Sequence, residues 1–528
     1  METLETENST ANVNFLDTAT SICGNDAVLT GEKERRFYSE DLFFQGSLPI
    51  AVVRPKSPSE ISRMVKLCRE HCIAIYPRGG GMSYSDAFQP NGEKSVILDT
   101  GELNSIEDID PLSGHVTAGA GCTWIELDQA LAKHGLRARF WGPMSGGTAT
   151  LGGSLSQGSV TFGSGIAGAS ANAVKSFEIV AGTGEILHTG SDGAVGTSPH
   201  NRNYGPDLTG VFANDAGSMG IKTAVTLETE PRPEIVSGLS FAFDDFNAMA
   251  RMFHEVTARR LSSEMIAMDA EVARQNAGQP DLMSDAKAML KIGLSAGNPI
   301  AAIGRMASVA LGGRRFLEKA HYTAHFVVEA RDKADLGSKV KTIRGFAKGG
   351  DEIVNTVPLM TRADPFPSLP VTHPDGRRML PMHGIFPTPA LAAFHRDYLD
   401  LKVRFADQMK ATDVAVAEFF ASIAGVGLLY EPVFYWPDER YGYHEQMTPD
   451  YLNGKLPTYP ENPQARALVQ EIIAAIVELM REHGSSHFQI GRLYPCLTAK
   501  EESSASLLGD LKARLDPDNI INPGVLGL

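Results

Sequence analysis

The chain has 528 residues, 43 % of them hydrophobic, with 48 Lys plus Arg against 63 Asp plus Glu and a formal net charge of −15. At about 150 residues per domain that length suggests two to four domains, and the apolar fraction excludes a disordered chain. The acidic balance argues against nucleic-acid and anionic-membrane partners, which require a basic patch. Cys23, Cys68, Cys72, Cys122 and Cys496 form neither a CxxC nor a zinc-ligand spacing, which fits a reducing compartment and no metal. The polar N-terminus lacks the basic and apolar regions of a signal peptide, and no 18 apolar residues run uninterrupted, so a soluble cytoplasmic protein is expected.

Residues 1–40 read as a polar tail or a first helix on the surface. Ala51–Val53 reads as a strand, and Pro55–Glu60 as a turn and N-cap. Ile61, Met64, Val65, Leu67 and Cys68 then recur at helical spacing, and the strand Ile73–Tyr76 runs into Pro77-Arg78-Gly79-Gly80-Gly81. A strand at 96–99, Ile106–Asp110 and His115–Gly121 lead to a helix over 124–134. Glycines then concentrate at 142–147, 152–153, 158, 163, 165 and 168, before a strand–turn–strand at 176–184 and the cluster Gly217-Ser218-Met219-Gly220 opening a strand from Ile221. Glycine density falls past Pro231, which places a boundary near 235. The middle stretch carries a helix at 387–409, a strand at 416–423, a Pro-rich loop at 365–370 and the aromatic run 430–436. The chain closes on a helix at 463–483, a strand near Phe488-Gln489-Ile490, a helix at 501–514 and the segment 515–524.

Three glycines after a strand let backbone N–H groups converge without Cβ obstruction, a concave anion site suited to a pyrophosphate, to which Arg78 and Ser83 add a charge and a hydroxyl. A tight loop without ligand explains one such turn equally well; three clusters in 150 residues favour a ligand. Neither the Rossmann GxGxxG nor the P-loop pattern stands here, so a dinucleotide would need another scaffold. The run Pro77–Tyr84, with Arg54–Glu60, Leu151-Gly152-Gly153, Gly217–Thr223 and Asp516–Gly524, resembles the vanillyl-alcohol oxidase type of FAD-linked oxidoreductases in letters and in order. The resemblance covers about 50–228 and 486–528. It implies an α+β fold: a PCMH-type FAD-binding domain of two α/β subdomains (41–235), an α+β substrate or cap domain (236–485) and a C-terminal segment (486–528) returning to the FAD domain.

Carried over by position, the resemblance assigns Arg78, Gly79, Gly80, Gly81, Met82 and Ser83 to the pyrophosphate. It gives Pro143, Gly147, Thr148, Gly152, Gly153, Ser156 and Gly158 to the flavin and adenine-side loops, Ile221 to the adenine and Asn522 to the closure of the flavin site, with Tyr84 within reach of the ring. The family's attachment histidine is here Met82, and the position of its attachment cysteine falls near Gly146, so FAD is expected to be non-covalent. Arg492 and Tyr494 match the segment from which members project Arg and Tyr onto the flavin, with His487 and His383 as alternative proton partners. Arg492, Tyr494 and His383 also have a plain structural reading, as an ion-paired, a packed and a satisfied core group. Glu418, Tyr430 and Tyr435 are candidates for the substrate pocket. The expectation is an FAD-dependent oxidoreductase that takes a hydride from the C–OH carbon of an aromatic or phenolic compound onto flavin N5, giving an aldehyde or ketone. The alternatives are a 2-hydroxy-acid or sugar-alcohol dehydrogenase, disfavoured because the metal motif of lactate- and glycolate-type members is missing, and a non-catalytic flavin-binding protein. The partner expected is a small organic substrate, with a homodimer left open.

Overall fold

Local capping sets the first unit of the computed structural model, which describes residues 2–276, 320–367, 371–450, 452 and 454–528. Ser57 accepts from the N–H of Glu60 and Pro58 occupies the first turn, so the helix Pro58–His71 starts where the sequence punctuates it, and it ends at Cys72 in the left-handed region (φ 50°). Around it lie β1 (Val28–Leu29), β2 (Ala51–Val53), β3 (Ala74–Arg78) and β4 (Ser95–Asp99), in the order β1-β2-β4-β3 with β2 and β3 parallel to β4. The N-terminal residues form a helix, Glu2–Cys23, whose Phe15 and Ala19 are buried in the same core as Ile61 and Val65. A second, antiparallel sheet holds β5 (Ile106–Asp110), β6 (His115–Gly119), β7 (Leu136–Ala138), β8 (Val174–Val180), β9 (Ile186–His188) and β10 (Ile221–Pro231), with β10 paired to β6, β7 and β8. The helix Trp124–Ala132 packs beside it, opened by a reciprocal capping box between Thr123 and Glu126.

The third sheet is antiparallel, in the order β14-β11-β13-β12-β17-β18-β15, with β16 also on β18. Its strands are β11 (Ile235–Phe243), β12 (Glu264–Asp269), β13 (Tyr322–Ala330), β14 (Gly350–Ile353), β15 (Arg378–Pro381), β16 (Gly384–Phe386), β17 (Ala415–Ile423) and β18 (Gly427–Trp436). Helices Phe246–Ala258, Thr388–Thr412 and Pro463–Glu482 cover one face, burying Phe420, Tyr430, Phe434 and Trp436 with Phe394, Tyr398 and Ile472. The other face looks toward the first two sheets. Alternation along a strand therefore decides which residues can meet a ligand between the domains.

Two devices tie the parts together. Arg137 on β7 bonds both Glu230 and, at 2.5 Å, Glu329 of β13, while Arg362 pairs with Glu264 and lies 4.6 Å from the Trp141 ring. The chain end returns to the first sheet: the N–H of Ile75 donates to Ile520 O and Asn522 N–H donates to Ile75 O. Phe488-Gln489-Ile490 is not the expected strand. Gln489 sits at φ +48° with its N–H bonded to Gln157 O, which breaks extended pairing. Likewise His383 falls in the break between β15 and β16 rather than within a strand. The last three residues of the Pro-rich loop, Ser368-Leu369-Pro370, lie outside the described residues; its Phe366 packs against Trp141 and Phe162. Among the described residues no helix is long and apolar enough to cross a membrane.

Candidate active site

A cavity of about 370 Å³ runs between the two glycine-bearing sheets and the open face of the third. Its floor begins where β3 ends. Gly79 and Gly80 lie flat against the 148–150 turn: a Cβ on Gly80 would run into the carbonyl oxygen of Thr148, and one on Gly79 into Thr150 Oγ1. Gly81 has φ +69°, and its missing side chain leaves room for the Arg78 guanidinium. Arg78 is 5 % exposed, lies over the rings of Tyr38 (4.6 Å), Phe37 (4.9 Å) and Phe88 (5.4 Å), and has no partner for Nε or Nη2. Burial pulls its pKa down, with Asp99 opposing, and Asp99 is already engaged by the Tyr38 hydroxyl at 2.9 Å. A buried, unpartnered cation beside a side-chain-free backbone turn matches the donor set a pyrophosphate requires.

The helix Leu151–Gln157 supplies Gly152, Gly153, Ser156 and Gln157 to the wall, and Gly152 has space only for hydrogen against Ala120. Ala216, Gly217, Gly220, Ile221 and Lys222 form the far end, where Lys222 is neutralised by Asp215 at 2.6 Å. Asn522 stands behind the lining, its Nδ2 donating to Ala87 O and Ala216 O at 2.8 Å each, so it pins the first loop to the third. Gly147, Thr148 and Gly158 are also off the lining: Thr148 backs Gly80, and Gly158 closes the helix in the left-handed region at φ +72°. Arg78, Gly79, Gly80, Gly81, Met82, Ser83, Tyr84, Pro143, Gly152, Gly153, Ser156 and Ile221 all border the cavity.

The third sheet roofs the cavity with Phe419 and Ala421 of β17 and Leu429, Glu431, Val433 and Tyr435 of β18. Val272, Val371, Met379, Pro381 and Phe488 complete an apolar, aromatic end. Tyr435 faces in. Tyr430 and Glu418 belong to the opposite face: the Tyr430 hydroxyl meets His395 Nδ1 at 2.8 Å, and Glu418 accepts from Tyr398 at 2.8 Å and from Lys402 at 2.5 Å. Arg492 is outside the lining, spent on Asp86, the carbonyl of Gln89 and the carbonyl of Pro523. Tyr494 is also off the lining, its hydroxyl accepting the His383 N–H at 2.7 Å and its ring stacked 4.2 Å from His487. His487 Nδ1 donates to His383 O. The His383 ring, both nitrogens unpartnered, stacks 3.9 Å from Phe488 and lies 6.2 Å from Tyr84, one layer behind the wall; burial holds its pKa well below the ordinary 6.5.

Glu431 was not singled out by the sequence. It borders the cavity without a hydrogen bond or ion pair among the described residues, and burial alone pushes its carboxyl up to about 8. The signal that finds it is the period of two: Tyr435, Val433 and Glu431 share one face, Tyr430 the other. Gln157 and Gln489 were missed as well; Gln489 Nε2 donates to Tyr84 Oη at 3.3 Å, and Gln157 Oε1 is unpartnered.

Known proteins share the domain and the fold that carry this cavity. A family model described as FAD binding domain matches residues 49–190. The glycolate oxidase subunit GlcD of Bacillus subtilis is 28 % identical over 264 residues, which is 49 % of this chain and about half, 54 %, of that relative. Two solved structures share the fold across nearly the whole chain. The 4-ethylphenol oxidase from Gulosibacter chungangensis, in its isoeugenol complex, has a TM-score of 0.70 at 13 % identity, and p-cresol methylhydroxylase (PCMH) with substrate bound has 0.70 at 15 %; each match covers 98 % of this chain and 97 % of the other. The chain thus carries an FAD binding domain over residues 49–190 and shares its fold with these PCMH-type oxidoreductases.

Proposed function

We propose that the protein oxidises the C–OH group of an uncharged aromatic or phenolic compound to an aldehyde or ketone, using non-covalent FAD. The observation that carries this reading is the charge pattern of the cavity. Among the described lining residues the only cations are Arg78 and Lys222, both in the FAD-binding half, while the cap end offers Phe419, Phe488, Tyr84 and Tyr435 and one unpaired acid. A 2-hydroxy acid, such as the substrate named for the Bacillus relative, would carry a carboxylate into that end. Burying it unpaired costs several kcal/mol. An aromatic ring of about 150–250 Å² gains about 4–6 kcal/mol from the same burial.

When bound, FAD supplies the acceptor for the hydrogen and electron pair that leave the carbinol carbon. The chain's own residues do the rest. Arg78 and the 79–81 turn hold the phosphates, Phe419 and Phe488 exclude water, and Tyr435, whose hydroxyl burial pushes up to about 12, stays protonated and donates to the substrate oxygen. Met82 stands at the attachment position, and the described lining contains neither His nor Cys, which supports a flavin held without a covalent bond. The test is a panel of uncharged aromatic alcohols, sugar alcohols and 2-hydroxy acids added anaerobically while flavin absorbance is followed. Rapid bleaching only by the first class supports the reading; rapid bleaching only by one of the other two overturns it.

A further inference from the structure

We propose that Glu431 is the catalytic base of this site, taking the proton from the substrate hydroxyl; the assignment rests on the alcohol-oxidising function above. Geometry singles it out. Glu431 is the only carboxyl group among the described lining residues, and it projects from the middle of β18 into the apolar end, between Leu429 and Val433 on the same face. Among the described residues its carboxyl forms no hydrogen bond and no ion pair, and burial alone shifts it. Glu431 is half-buried at the cavity wall, so its carboxyl is free to take a ligand as its hydrogen-bond partner in an otherwise apolar lining. The other acids of the cap are spent internally, Glu418 on Lys402 and Tyr398, Glu264 on Arg362.

The titratable groups that couple to Glu431 are three tyrosines on three elements: Tyr84 from the loop after β3, Tyr435 on its own strand and Tyr494 from the C-terminal segment. Burial raises all three phenols, so they remain neutral where Glu431 titrates and neither stabilise nor oppose its charge with one of their own. The substrate O–H bond breaks and its proton goes to a Glu431 carboxylate oxygen; the oxygen lone pair forms the C=O bond; the C–H hydrogen leaves with its electron pair to bound FAD, the oxidant. A carboxyl that titrates near 8 is matched to this work, because it is basic enough to accept the proton and still ionised at mildly alkaline pH.

The experiment uses the FAD-loaded enzyme and Glu431→Gln, a near-isostere that removes the charge and the proton-accepting oxygen. Wild-type anaerobic flavin bleaching by an uncharged aromatic alcohol is expected to rise about tenfold per pH unit below about 8 and level above it. Glu431→Gln is expected to slow bleaching about 10²–10⁴-fold and to flatten that profile, with bound flavin spectrum and product affinity within threefold of wild type. A second readout needs no turnover: infrared difference spectra should show a protonated carboxyl band that titrates near pH 8 in the wild type and is missing in the variant. An unchanged bleaching rate and pH profile in Glu431→Gln, or a loss confined to substrate affinity, overturns the assignment while leaving the function standing. Failure of the wild type to be bleached by any uncharged aromatic alcohol overturns the function itself, and this assignment with it.

Discussion

Replacing Arg78 by Met should move the stability of the apoprotein and its affinity for FAD in opposite directions. The guanidinium is 5 % exposed, and two of its nitrogens have no acceptor. Each buried donor left unmade costs about 1–3 kcal/mol. Against this stand three ring contacts at 4.6–5.4 Å, each worth about 0.5–2 kcal/mol as cation–π interactions, much of which a methionine replaces by packing on the same rings. The apoprotein of Arg78→Met is therefore expected to be as stable as wild type or up to about 3 kcal/mol more stable. On the proposed function these nitrogens turn to the phosphates once FAD binds. Two charge-assisted hydrogen bonds at about 1.5–3 kcal/mol each correspond to an affinity loss of about 10²–10⁴-fold. Denaturant unfolding of flavin-stripped protein and fluorescence titration with FAD measure the two quantities separately. An apoprotein destabilised by more than about 1 kcal/mol, with FAD affinity within threefold of wild type, would make Arg78 a structural cation and not a phosphate ligand.

Gly80→Ala drives a Cβ into the Thr148 carbonyl, so about 1–3 kcal/mol of destabilisation and poor flavin retention are expected, whereas Gly92→Ala, with open space at its Cβ, should be close to neutral; denaturant melts and flavin content read both. Acid precipitation should leave yellow supernatant and a colourless pellet, while a yellow pellet would contradict the inference drawn from Met82. Arg492→Ala removes ties to Asp86, Gln89 and Pro523 and should cost about 2–4 kcal/mol of stability, yet the bleaching rate of the flavin-loaded fraction should stay within threefold of wild type. A hundredfold drop in that rate would return Arg492 to the reacting centre.

The FAD-binding half was legible because its demands are local. A turn that must press against Thr148 and Thr150 can only be glycine, and a helix opened by Ser57, Pro58 and Glu60 announces its own start. Such constraints act within a few residues, so the order of glycine clusters carries the scaffold. The cap obeys other rules. Tyr430 and Glu431 are neighbours in sequence and stand on opposite faces of one strand, and which face meets the cavity depends on the register with β17 and on helices far along the chain. Arg492 and Tyr494 sit where the resemblance placed them along the chain, but a left-handed Gln489 and a left-handed Gly491 turn the segment so that Arg492 points to Asp86 and Tyr494 to the His383 backbone. A side chain's direction after two such turns is a property of the packed molecule. His383 shows the same limit, since its position in a strand break behind Tyr84 and Phe488 follows from the docking of the C-terminal segment.

On the proposed function the cap end accepts an aromatic alcohol and rejects a carboxylate, and one matched pair of substrates separates the two. 4-Hydroxybenzyl alcohol and 4-hydroxymandelate differ at the carbinol carbon by a single carboxylate. With the FAD-loaded enzyme under anaerobic conditions at equal concentration, the alcohol is expected to bleach the flavin at least roughly 100-fold faster, the rate equivalent of about 2.7 kcal/mol for one unpaired buried charge. Equal or faster bleaching by 4-hydroxymandelate would mean that the cap end receives a carboxylate.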